Sequence, residues 1–110
     1  MRKIIAYKSY FKDFVSSLSK DEANKLRRAL DLFKMEDRMP RHYIKFIRDG
    51  IYEFRVNYGN NEMHVFFIYD GDTVVMLFNA FRKKTQKTPD REIIKAIRLK
   101  KEYYDGKERQ

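Results

Sequence analysis

Apolar residues recur along this chain in two periods, and the change from one to the other marks out its elements. From Tyr10 onward, Phe11, Phe14, Val15 and Leu18 follow the i, i+3, i+4, i+7 spacing of an amphipathic helix. Ser19-Lys20-Asp21-Glu22 then has the form of a capping box, in which the serine hydroxyl accepts from a free backbone N–H and the glutamate reaches back to the cap. A second helix follows, burying Ala23, Leu26, Leu30 and Phe33 and ending near Lys34. Two helices meeting at one serine predict a helical hairpin. Ahead of them, Lys3 to Tyr7 reads as a short strand.

Met35 to Asp49 contains Pro40 and reads as a loop anchored by Tyr43, Ile44, Phe46 and Ile47, with a turn signal at Asp49-Gly50. Beyond it the period becomes two. In Ile51 to Tyr58, Tyr52, Phe54, Val56 and Tyr58 share one face and Glu53, Arg55 and Asn57 the other. Gly59-Asn60-Asn61 forms a hairpin loop. Met63 to Tyr69 and Thr73 to Phe81, joined by Asp70-Gly71-Asp72, are apolar on both faces, which predicts the inner strands of an antiparallel meander. Thr88 as N-cap, Pro89 in the first helical position and Asp90 in the first turn open a last helix, with Ile93, Ala96, Ile97 and Tyr104 along its apolar stripe. The expected fold is α+β, in the order β-α-α-β-β-β-α. A helical hairpin precedes a small antiparallel sheet and a helix follows it.

At 110 residues the chain makes one domain, residues 1–110, with a polar tail at 105–110 expected to fray. Its formal net charge is +9, which points to a polyanionic partner or to a solvated basic surface. There is no cysteine, and hence no disulfide framework or thiolate metal site. No apolar run approaches the roughly 18 residues of a membrane span, and the N-terminus turns charged too early for a signal peptide. A soluble cytoplasmic protein with no membrane partner is expected.

Two groups of residues carry candidate chemistry. Glu53 and Arg55, two apart on a strand, point the same way. By spacing alone they are a surface ion pair worth under about 1 kcal/mol. His64, on the next strand, shares the parity of Glu62 and Phe66 and can stand beside Arg55; a lone strand histidine is more often structural than catalytic. The second group is Arg82-Lys83-Lys84-Thr85-Gln86-Lys87-Thr88, four cations between a strand end and a helix start, where phosphate can dock on side chains and free N–H groups together. Tyr58, Tyr103 and Tyr104 offer rings for base stacking, although packing is the commoner role of such residues. With two histidines and no clustered carboxylates, neither a catalytic metal nor another cofactor is expected.

Asp49-Gly50-Ile51-Tyr52-Glu53-Phe54-Arg55-Val56, the aromatic strand from His64 to Tyr69, Phe81-x-Lys83-Lys84-Thr85-Gln86-Lys87-Thr88-Pro89 and the ending Glu102-Tyr103-Tyr104 together resemble the RelE/ParE toxin superfamily, in its HigB-like, phage-derived branch. The chain departs from that pattern at His64, where many relatives carry arginine, and at Ala80, where glycine is common. The resemblance implies the toxin of a type II toxin–antitoxin pair, an endoribonuclease that cuts mRNA in the ribosomal A site without metal. The ribose 2′-hydroxyl attacks the adjacent phosphate and leaves a 2′,3′-cyclic end. It further implies Arg55 on the scissile phosphate, Glu53 or His64 as base, and Lys83 and Lys84 stabilising charge or donating a proton. Lys45, Arg48, Arg82, Lys87, Tyr103 and Tyr104 are the expected RNA contacts, and a helix-turn-helix, HigA-like antitoxin the expected partner beside the ribosome and mRNA. Two alternatives share the fold: a ParE-like inhibitor of DNA gyrase, and a nucleic-acid-binding module without catalysis.

Overall fold

The capping box forms as its sequence requires. Ser19 N–H donates to Glu22 Oε1 at 2.9 Å and Glu22 N–H to Ser19 Oγ at 3.1 Å, so two otherwise orphaned donors are satisfied where the helix begins. This computed structural model describes residues 1–83 and 87–108. A strand β1 (Lys3–Ala6) leads into α1 (Tyr10–Ser16) and then α2 (Lys20–Met35), which turn at the serines as expected. The strands β2 (Ile44–Arg48), β3 (Ile51–Tyr58), β4 (Asn61–Asp70) and β5 (Val74–Arg82) follow, and α3 (Asp90–Glu108) closes the chain.

The α+β class and the run of elements hold, with two corrections. First, the segment expected to be a loop contains β2, preceded by a single 3₁₀ turn at Arg41–Tyr43. Asp49 and Gly50 both have positive φ, 52° and 76°, the requirement of a two-residue hairpin turn, so strand stands on both sides of them. Alternation was hidden because a bulge between Phe46 and Arg48 breaks the period of two. Secondly, the sheet is mixed. Its order is β1-β5-β4-β3-β2; β2 to β5 are antiparallel neighbours, whereas β1 pairs parallel to β5. Both helices intervene before the chain returns, and such a long connection permits a parallel pair.

The sheet separates two cores. On one face, Leu26, Leu30 and Phe33 of α2 pack with Phe54, Val56, Val65 and Phe67, and residues of α1 close the side. Phe33 lies at the centre, stacked 5.3 Å from Phe54 and edge-on to Phe67 at 5.4 Å. On the other face, Ile93, Ala96 and Leu99 of α3 pack on Ile51, Phe66, Ile68 and Phe78. α3 therefore covers the face that carries Glu53 and His64. It is pinned at both ends. Asn79 Nδ2 donates to the backbone oxygen and to Oε1 of Glu92, both at 3.0 Å, and near the C-terminus Tyr103 and Lys107 converge on Asp70. That grip explains why the helix continues to Glu108 instead of fraying from Asp105. No helix among the described residues is long and apolar enough to cross a membrane.

Candidate nucleic-acid interface

Strand register brings the first group of candidate residues together. Arg55 lies opposite His64, His64 opposite Phe81, and Glu53 one pair along, between Lys45 of β2 and Phe66 of β4. Glu53 and His64 are 1% and 0% exposed. His64 Nδ1 is 2.9 Å from Glu53 Oε1, and its Nε2 is 2.8 Å from Glu62 Oε1. Neither contact has the directionality of a hydrogen bond, so the imidazole lies side by side with two carboxylates. Phe81 stacks on the His64 ring, with centroids 5.2 Å apart.

Burial by itself raises the Glu53 carboxyl. The adjoining His64, the Thr88 hydroxyl that donates to Oε2 at 3.2 Å and the charge of Lys83 together outweigh it, holding the group below its ordinary value of 4.5. Thr88 is thus bound to a β3 carboxylate instead of capping the helix, which starts one residue later than expected. The Pro89 carbonyl accepts from Glu92 N–H at 3.1 Å.

Over this buried group opens a cleft of about 430 Å³, lined by Lys45, Lys83, Lys87 and Thr88 at the start of α3. A second cleft, of about 310 Å³, lies at the edge of β3 beyond the reach of β2 and is lined by Lys25, His42, Tyr43, Arg55, Asn57 and Glu62. Each is large enough for a nucleotide-sized group. Arg55 and Lys83 stand on the same face at the same end of the sheet. Arg55 and Phe81, two strands apart, are separated by about 10 Å at the usual strand spacing, and Lys83 is two residues further on. Arg55 is half-buried and lines the smaller cleft, while its Nε is enclosed and has no hydrogen-bond partner among the described residues.

The remaining expected contacts divide. Lys45 and Lys87 join Lys83 in the larger cleft, and Arg48 is exposed at the end of β2. Lys84 lies outside the described residues. Arg82 turns to the opposite face, where it donates to Glu22 Oε1 at 3.0 Å and to the Ser17 carbonyl at 3.1 Å; its strand parity, opposite to that of Lys83, carries that information. Tyr103 and Tyr104 pack beside Asp70 and Phe78, about 20 Å along β4 from His64 at 3.4 Å per residue. They therefore lie at the far end of the sheet from Arg55. Glu53 and His64, expected as candidate bases, are enclosed in this conformation. Lys25 and His42 were not among the expected site residues; both come from segments outside the sheet motif, so only the fold brings them to Arg55.

Residues 13–101 match the family model described as "Phage derived protein Gp49-like (DUF891)". The chain belongs to this Gp49-like family. No curated protein matches it. Among solved structures, it is similar to the archaeal RelE–RelB complex from Pyrococcus horikoshii OT3, at 13% identity and a TM-score of 0.49, over 72% of this chain and 91% of that one. The Gp49-like match spans the end of α1, the whole of α2, the strands β2–β5 and most of α3, and so includes both clefts.

Proposed function

We propose that this Gp49-like protein is the toxin of a type II toxin–antitoxin pair, a cytoplasmic endoribonuclease that enters the ribosomal A site and cuts mRNA without a metal. The observation that carries this reading is the placement of Arg55 and Lys83 on one face at one end of the sheet, each lining a cleft of nucleotide size. A net charge of +9 favours approach to RNA, and the motif resemblance to HigB-like toxins supplies the reaction.

In this reading the message lies across both clefts. Arg55, half-buried in the wall of the smaller cleft, holds the scissile phosphate through its guanidinium. Lys83 faces the leaving 5′-oxygen, and Lys45 and Lys87 hold the adjoining backbone. The ribose 2′-oxygen attacks phosphorus, giving a 2′,3′-cyclic phosphate and a 5′-hydroxyl. Fixed cations around the five-coordinate phosphorus lower the barrier, by about 2.7–4 kcal/mol for each donor. Glu53 and His64 serve as positioning residues, tying Thr88 and hence the basic segment to the sheet. A helix-turn-helix, HigA-like antitoxin would cover these clefts.

The test is a purified translation system supplied with the protein, with cut sites mapped by primer extension and ribosomes present or absent. Cleavage only with ribosomes supports the reading. Intact message together with inhibited gyrase supercoiling would select the gyrase-inhibitor alternative, and salt-sensitive RNA binding without either effect the non-catalytic one.

A further inference from the structure

Glu53 and His64, the two proton acceptors expected for the reaction proposed above, are enclosed, and the smaller cleft offers another. His42 is exposed and lines that cleft together with Arg55, Lys25 and Glu62. It is also held in place. Its ring lies 4.2 Å from that of Tyr43, which stacks on Phe54 at 5.7 Å, and Phe54 in turn stacks on Phe33 at the centre of the core. A histidine anchored through three rings to a packed core, exposed in a cleft that Arg55 also lines, has the fixed position that proton transfer requires.

We propose that His42 is the general base of RNA cleavage. This rests on the ribonuclease reading above and adds to it a residue and a direction of attack. The neutral imidazole takes the proton of the ribose 2′-hydroxyl as O2′ forms its bond to the phosphorus held by Arg55. The bond from phosphorus to the 5′-oxygen breaks on the far side, and that oxygen takes a proton from the Lys83 ammonium. The products are a 2′,3′-cyclic phosphate and a 5′-hydroxyl. Solvent then returns the proton from the His42 imidazolium to the Lys83 amine, restoring both. His42 lines the cleft that Arg55 shares and Lys83 the other cleft, so base and acid come from separate clefts, as in-line displacement needs. The substrate class is single-stranded RNA with an intact 2′-hydroxyl at the cut site.

The decisive experiment compares wild type, His42→Ala and His42→Gln in single-turnover cleavage of ribosome-bound message. RNA affinity is measured in parallel on a message carrying a 2′-deoxy nucleotide at the cut site, and thermal unfolding shows that each variant is folded. Cleavage is expected to fall by about 10²–10⁴-fold in both variants, with affinity for the 2′-deoxy message unchanged. Free imidazole added to His42→Ala is expected to restore part of the rate. A folded variant that cuts at the wild-type rate would overturn the role of His42 and leave the ribonuclease reading standing. Failure of the wild type to cut would remove both.

Discussion

Glu53 and His64 face each other across β3 and β4 with 2.9 Å between Oε1 and Nδ1 and almost no solvent access to either side chain. Two ionisable groups taken out of water in this way stabilise each other mainly by compensating for each other's desolvation. Glu53→Leu alone is expected to cost about 3–5 kcal/mol, because it strands the histidine among Phe66, Phe81 and the α3 core. The double variant Glu53→Leu/His64→Phe is expected to recover most of that loss. Urea unfolding of the two single variants and the double variant measures it.

Acid should weaken the fold through the same carboxylate. The Glu53 carboxyl is held below 4.5 in the folded state: burial opposes ionisation, but His64, Thr88 and Lys83 prevail. A group depressed on folding contributes stability that is complete above its unfolded value and is lost as pH falls through the folded one. Asp70, lowered below 3.8 chiefly by Lys107 and Tyr103, adds a further loss at still lower pH. Urea midpoints taken at neutral pH and at intervals below about pH 4 should fall steadily, and Glu53→Gln should flatten the upper part of that decline.

Arg82 and Lys45 should separate stability from binding. Arg82→Ala leaves the nearly buried Glu22 without its cation, so it is expected to lower thermal stability while leaving RNA affinity little changed. Lys45→Ala is expected to do the reverse. Its stability should be unaltered, and the slope of log affinity against log salt should decrease by about 0.7, the loss of one phosphate contact on a single strand. Binding titrations over a range of salt concentrations give both slopes.

What the sequence disclosed, and what it hid, follows from the range of the interactions. The Ser19–Glu22 cap and the helical stripe around Leu26, Leu30 and Phe33 are local, and both were legible. Strand β2 was hidden because its bulge disrupts alternation, although Asp49-Gly50 announced a hairpin that requires a strand on each side. The pairing of β1 with β5 joins segments about 70 residues apart and leaves no local mark. Alternation also placed Glu53 and Arg55 on one face correctly, but a polar face in the sequence reads as open to water. Only α3, docked through Ile93, Ala96 and Leu99, converts Glu53 from a surface residue into a buried one. The same distance effect kept His42 and Lys25 out of the expected site.

The central claim is that Arg55 and Lys83 act on a common phosphate from two adjoining clefts. It is tested most directly by single-turnover cleavage of ribosome-bound message with wild type, Arg55→Ala, Lys83→Ala and the double variant, each verified as folded by thermal unfolding. The account predicts a loss of about 10²–10³-fold for each single variant, and a double variant whose loss is less than the product of the two, as befits groups acting on one transition state. Folded variants that cut the message at the wild-type rate would contradict it.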